Sequence, residues 1–188
     1  MICTLPAGVG ETGAVVVRVY GFLSEEAWSV SCGAPAIQML EGCLQAAPSG
    51  SARGVTPAHL TDCPREAGAS ITLRGENFGA SKASVLVGGD DCVDVTHDAN
   101  QPHNVLVCRL PGGAAEMQPI LLFQNGGSRS PRALVSYQQC AEGSTNGQAS
   151  ACVPCAAGTS KAVSGGSACL ACATDSYSLA GAAECDRW

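Results

Sequence analysis

The residues best equipped for chemistry in this 188-residue chain are its twelve cysteines. Four of them form two Cys-x-x-Cys pairs, Cys152/Cys155 and Cys169/Cys172, and Cys185 follows in register. Such a set has three uses. Four thiolates can hold zinc tetrahedrally, as in a zinc ribbon. A single Cys-x-x-Cys can be a redox couple, which needs a βαβ setting and a helix N-terminus to lower a thiol pKa. The set can also be a framework of disulfides in an oxidising compartment. No helical pattern stands beside either pair, so redox chemistry has no support. The other cysteines, spread along the whole chain, favour disulfides over zinc, and no metal or cofactor is expected.

Other reactive groups are sparse. Asp90, Asp91, Asp94 and Asp98 are the one acidic cluster. Carboxylates in number suit calcium, but their spacing fits no standard calcium loop, and a solvated loop between strands is the expectation. His97 and His103 are placed in that same loop, exposed, and His59 in a featureless loop before it. There is no Gly-x-Ser-x-Gly, no His-Glu-x-x-His and no phosphate-binding glycine loop followed by a helix. No catalytic residue is therefore named, and an enzyme is not expected. A net charge of −6 argues against nucleic acid as a partner. No run reaches the roughly twenty apolar residues of a membrane helix, so no membrane insertion by this segment is expected.

The elements that carry these residues are short. Ser70-Ile71-Thr72-Leu73-Arg74, Ser84-Val85-Leu86-Val87, Val105-Leu106-Val107-Cys108, Ile120-Leu121-Leu122-Phe123 and Ala133-Leu134-Val135-Ser136-Tyr137 are runs rich in Val, Ile and Leu. Gly, Pro, Asn or Asp separates them, as at Asn125-Gly126-Gly127, which reads as a turn. This is the pattern of strands in an antiparallel sandwich.

The ordered set Ile71-Thr72-Leu73-Arg74-Gly75-Glu76-Asn77-Phe78-Gly79, then Val87-Gly88-Gly89 with Cys92, then Val107-Cys108-Arg109-Leu110-Pro111, then Ser136-Tyr137 resembles an IPT/TIG domain. The resemblance implies an immunoglobulin-like sandwich of the kind found in receptor ectodomains and cell-surface proteins, with Cys92 bonded to Cys108. The fold class expected is all-β: IPT/TIG-like sandwiches in tandem plus small disulfide-rich modules.

Tandem copies are suggested by an internal repeat. Cys3-Thr4-Leu5-Pro6-Ala7-Gly8 repeats Cys108-Arg109-Leu110-Pro111-Gly112-Gly113 at an offset of 105 residues. Val15-Val16-Val17 falls where Ile120-Leu121-Leu122 falls, and Ser29-Val30 roughly where Val135-Ser136 falls. Residues 1–34 then read as the C-terminal part of one IPT/TIG-like domain and 35–139 as a complete one. No secretory signal stands at Met1, so a piece of a longer secreted chain is expected. Cys43 and Cys63 flank a stretch of Ala, Pro, Ser and Gly, read as a surface loop ending near Thr61-Asp62-Cys63. A disulfide across it is the natural pairing, although spacing alone does not fix connectivity.

After Tyr137 bulky apolar residues nearly vanish, so residues 140–188 must be held by cross-links rather than a core. They read as two small modules similar to ephrin-receptor-like and TNF-receptor-like repeats. The first has Gly158-Thr159-Ser160 without the family tyrosine; the second has Tyr177-Ser178 without the glycine. That resemblance implies Cys140–Cys152, Cys155–Cys169 and Cys172–Cys185, and leaves Cys3 and Cys32 without partners. Module order and composition are similar to large surface proteins of algae and protists, including mastigoneme-like proteins. The function expected is a structural or adhesive module of a repetitive extracellular assembly on a cell or flagellar surface. Its partners would be copies of itself or other extracellular glycoproteins. The other reading is a ligand-binding segment of a receptor ectodomain.

Overall fold

The computed structural model describes residues 13–25, 28–30, 33–45, 58–124 and 127–187. The architecture is all-β. Four short strands lead the chain: β1 (Gly13–Val15), β2 (Arg18–Val19), β3 (Phe22–Leu23) and β4 (Trp28–Val30). The sandwich follows with β5 (Ala36–Glu41), β6 (Leu44–Gln45), β7 (His59–Cys63), β8 (Ser70–Glu76) and β9 (Ser84–Val87). It continues with β10 (Asp90–Asp91), β11 (Val93–His97), β12 (Val105–Arg109), β13 (Gln118–Phe123) and β14 (Ala133–Tyr137).

The sandwich has one sheet in the order β10-β9-β13-β14-β7-β6 and a second in the order β11-β12-β8-β5. All pairs are antiparallel except β14 with β7. Period-two alternation decides which side chains face inward. Ile71 and Leu73 of β8, Val85 and Val87 of β9, and Ile120 and Leu122 of β13 are buried in one cluster with Leu60, Phe78, Leu106 and Val135. At most about 3 kcal/mol accompanies full burial of each such side chain, so the sandwich rests on its core. Strand β14 is buried along its full length, because β13 and β7 flank it on both sides.

Two aromatic details fix local shape. The Tyr137 hydroxyl donates to the carbonyl of Pro111 at 2.9 Å. Its ring lies where a Cβ on Gly113 would come within 2.2 Å, so only glycine fits there.

Several expectations need correction. The loop read as ending near Cys63 ends earlier. His59–Cys63 is strand β7, with Leu60 fully buried and His59 bonded to Ser136. The short polar strand escaped notice because only Leu60 and Cys63 point inward. The acidic cluster is not one loop either. Asp90 and Asp91 form β10, Asp94 lies in β11 against Arg109 at 3.3 Å, and Asp98 turns the chain by accepting the N–H groups of Asn100 and Gln101. His97 belongs to β11 and is half-buried, and His103 is likewise half-buried. The His97 Nδ1 lies 2.7 Å from the Pro102 carbonyl and Nε2 accepts from the Ala83 N–H. A neutral ring with its proton on Nδ1 satisfies both contacts.

After the sandwich come β15 (Ser144–Asn146), a 3₁₀ turn (Gln148–Ser150), β16 (Cys152–Pro154), β17 (Thr159–Ser160), β18 (Leu170–Ala171), β19 (Ser176–Tyr177) and β20 (Asp186–Arg187). These make three hairpins: β15 with β16, β17 with β18, and β19 with β20. The first, beginning at Cys140, has no Cys-x-x-Cys ahead of it, which is why the sequence pattern hid it.

Candidate functional site: the disulfide stack and its joint to the sandwich

The three hairpins repeat one local design. Cys140, Cys155 and Cys172 are each followed at the third residue by a left-handed backbone, at Gly143 (φ +70), Gly158 (φ +82) and Asp175 (φ +68). Asp175 adopts the conformation that glycine supplies elsewhere, which aspartate tolerates better than most residues. The next N–H then closes the same turn each time: Ser144 to Ala141, Thr159 to Ala156 and Ser176 to Ala173, at 3.0–3.1 Å. Each strand pairs with a return strand in the same register, and each loop is closed by one bond: Cys140–Cys152, Cys155–Cys169 and Cys172–Cys185.

The hairpins bond to one another just as regularly. The Gly143 N–H donates to Lys161 O, and the Gly158 N–H to Ser178 O. Cys140 O accepts from the Gly165 N–H, and Cys155 O from the Gly181 N–H, both at 2.8 Å. Ser144 O accepts from Lys161 Nζ, and Thr159 O from Ser178 Oγ. These three bonds between units one and two recur between units two and three, while Thr145 Oγ1 donates to Ser167 O in the first pair alone among the described residues. Residues 140–187 are thus a short linear stack in which each unit contacts its neighbours.

Lys161 is the one buried cation of the stack. Its ammonium is nearly out of solvent and is held by carbonyl oxygens: Ser144 at 2.5 Å, Gly165 at 2.6 Å, and Cys140 and Ala141 at 3.4 Å. Four carbonyl dipoles replace the carboxylate a buried lysine ordinarily needs.

A second buried cation makes the joint to the sandwich. Arg65 lies just after β7 and is 5% exposed. Its Nε donates to Ser150 O, one terminal nitrogen to Gln138 O at 2.7 Å, and the other to Asn146 Oδ1 at 2.8 Å. Its own carbonyl accepts the Gly113 N–H. The planar guanidinium thereby ties the sandwich, the connecting residues 138–139 and the first hairpin into one unit. Asn146, Lys161 and Ser178 sit six residues after the first cysteine of their units. Arg65 therefore engages on unit one the position through which units two and three engage their predecessors. Nothing in the sequence marked Arg65 beyond its place in Cys63-Pro64-Arg65.

The sandwich holds two further disulfides, Cys43–Cys63 and Cys92–Cys108, with Cα separations of 5.0 Å and 5.8 Å. All ten cysteines named as paired in the sequence reading are thus in bonds; Cys3 and Cys32 lie outside the described residues. Among the described residues no group of three or more His, Cys, Asp or Glu could hold a metal ion.

One constellation has the form of a catalytic pair. His59 Nε2 lies 2.9 Å from Ser136 Oγ, in an open crevice of about 460 Å³ also lined by Asp62, Glu116, Met117 and Ser164. Ser136 Oγ simultaneously accepts the Met117 N–H at 2.9 Å. The hydroxyl thus links β7, β14 and the approach to β13. Among the described residues no carboxylate bonds to the other nitrogen of His59, the orienting contact a nucleophilic triad uses.

Residues 54–137 match the model of the IPT/TIG domain. Over that stretch the sandwich is similar to an IPT/TIG domain. Such domains are typically non-catalytic, and with five disulfides they mark an extracellular or secreted protein. No curated protein matches the sequence. Among solved structures, a gamma-CGTase from an alkalophilic Bacillus clarkii aligns at 18% identity and a TM-score of 0.36, over 61% of this chain and 14% of that one. SGBP-B from a complex xyloglucan utilization locus in Bacteroides uniformis aligns at 17% identity and a TM-score of 0.37, over 69% of this chain and 31% of that one. The chain spans less than a third of either.

Proposed function

We propose that the chain is a non-enzymatic structural and adhesive element of a repetitive extracellular assembly, such as a flagellar hair filament. Its partners in that setting are copies of itself or other extracellular glycoproteins. The observation that carries this reading is the Arg65 joint. A buried guanidinium fixes the direction in which the hairpin stack leaves the IPT/TIG domain. A filament needs such a fixed direction, because angular play at each joint accumulates along the array. Catalysis and solution binding gain nothing from it. The regular bonding from unit to unit supports the same reading, since it makes a stiff rod from residues too few to form a core.

The runner-up is a ligand-binding segment of a receptor ectodomain, favoured by the crevice at His59, Asp62 and Glu116 beside Ser164. Labelling the native protein in place with an antibody to residues 140–187 separates the two. Assembly predicts label repeating along a filament or surface layer. A lone native monomer that binds one soluble ligand tightly would replace assembly with the receptor reading.

A further inference from the structure

Strands β1 and β4 pair with Gly13 opposite Val30, Ala14 opposite Ser29 and Val15 opposite Trp28. Strands β13 and β14 pair with Gln118 opposite Val135, Pro119 opposite Leu134 and Ile120 opposite Ala133. Adding 105 to each number in the first set gives the second. The offset that relates Cys3 to Cys108 in sequence therefore relates two ladders in space. It also moves the sequence alignment of Val30 by one residue, onto Val135.

The likeness extends into the connection between the strands. The Val17 N–H donates to Ser24 Oγ, and the Ser24 N–H to Val17 O. The Leu122 N–H donates to Ser130 Oγ, and the Ser130 N–H to Leu122 O. The reciprocal pair of bonds recurs with one residue more in the second connection and one fewer after it.

What surrounds the two ladders differs. Strand β13 pairs on its other edge with β9 and β14 with β7, and the inward face packs on the opposite sheet. Among the described residues no strand lies beside β1 or β4 except each other. Leu122 and Ala133 are buried to 0% and 1% exposure, while their counterparts Val17 and Trp28 are 42% and 73% exposed. Phe22, Leu23 and Val19 are exposed beside them. Such a cluster of large apolar side chains on one short segment marks a docking surface.

We infer that residues 13–30 are the second half of another IPT/TIG sandwich and that their open face and edges receive its first half. The occupant is a polypeptide segment of the kind β7 to β12 represents. It brings one strand for the free edge of β1, one for the free edge of β4, a facing sheet of alternating Val, Leu and Ile, and a cysteine at the position of Cys92 for Cys3. The internal copy specifies this occupant, because it shows the same hairpin with its seat filled. Another copy of this chain is the wrong occupant by count: among the described residues each chain carries one first half, already engaged by β13 and β14.

The test is to repeat residues 35–105 ahead of Met1, which restores the 105-residue spacing, in a chain carrying Trp188→Phe so that Trp28 is the sole tryptophan. Expected are a blue shift of Trp28 emission, a several-fold drop in its quenching by acrylamide relative to the 188-residue chain, and a bond from Cys3 to the repeated Cys92 on non-reducing peptide mapping. Trp28 replaces the small Ala133, so a second version with Trp28→Ala keeps the disulfide as readout if the indole does not fit. A free Cys3 thiol in both versions, with unchanged quenching in the first, overturns the proposal. So does a 188-residue chain that dimerises on its own with Trp28 shielded.

Discussion

The IPT/TIG sandwich and the hairpin stack are neighbours on one chain, and they are stabilised in different ways. The sandwich has eighteen buried residues in a single cluster, so its two disulfides reinforce a fold that the core already determines. The stack has little inside: Cys140, Cys155, Lys161 and Ser178 are its buried side chains. Its shape comes from three disulfides, three left-handed turns and a recurring set of backbone bonds. The comparison teaches that a chain with few bulky residues can still keep one conformation, provided that cross-links limit the unfolded state and every carbonyl at a unit boundary meets a donor.

The largest test of the contrast is reduction. The bonds in the stack close loops with sequence separations of 12, 14 and 13 residues. In the chain-entropy model each contributes about 3 kcal/mol, more in total than so small a core can replace. With dithiothreitol under native conditions, amide resonances of residues 140–187 should collapse to random-coil positions. Those of β8, β9 and β13 should stay dispersed. Retention of dispersed stack resonances after full reduction would mean that the backbone bonding alone suffices.

The converse test removes core. Phe78 is fully buried against the sandwich cluster, so Phe78→Ala should cost about 3–5 kcal/mol. The loss should appear in denaturant unfolding of the sandwich, while hydrogen exchange within the stack stays as slow as before. A parallel loss in the stack would show that the two regions unfold as one.

How much of each region the sequence disclosed follows from the same contrast. Burial leaves a trace in side-chain type, so Ile71-Thr72-Leu73 and Ser84-Val85-Leu86-Val87 were readable as strands. Strand β7 was not, because His59, Thr61 and Asp62 point away from the core and two inward residues make too short a pattern. Backbone bonding leaves almost no trace in side-chain type. The first hairpin therefore went unseen, since Gly143 and Ser144 carry its design without a Cys-x-x-Cys. Arg65 and Lys161 were invisible for a related reason: what they bind is mainly main-chain carbonyl, which any residue provides.

Arg65 joins the two regions, and Arg65→Met separates them. The methionine keeps most of the apolar stem but none of the three donated bonds. Bonds from a charged donor contribute about 1.5–3 kcal/mol each, and solvent entering the joint returns part of that, leaving an expected loss of about 2 kcal/mol. The more telling readout is rotational. In the wild type, relaxation of the sandwich and the stack should report one tumbling time. In the variant the stack should tumble faster than the sandwich, with both folds intact. Equal tumbling in Arg65→Met would place the joint elsewhere, for instance where Gly112 approaches Ser150.

The smallest expected effect lies at Tyr137, on the sandwich side of the same joint. Burial, with the charge of Asp90 adding to it, pushes its phenol up to about 12. The neutral hydroxyl is the form that donates to Pro111 O. An unfolded tyrosine ionises near pH 10, so the folded value lies above the unfolded one. The stability this gives is complete below pH 10 and declines as pH rises from about 10 towards 12, where the folded phenol also ionises. Tyr137→Phe keeps the ring against Gly113 and deletes the hydrogen bond, with an expected loss of about 1 kcal/mol at neutral pH. Above pH 10 the ordering should reverse, because the variant has no phenol to keep neutral. Denaturant midpoints of the two proteins, measured from pH 7 to pH 11, should therefore converge and cross. Curves that stay parallel over that range would show that the Tyr137 hydroxyl is already solvated in the folded protein and that its bond to Pro111 does not hold the end of β14 against the turn at Gly113.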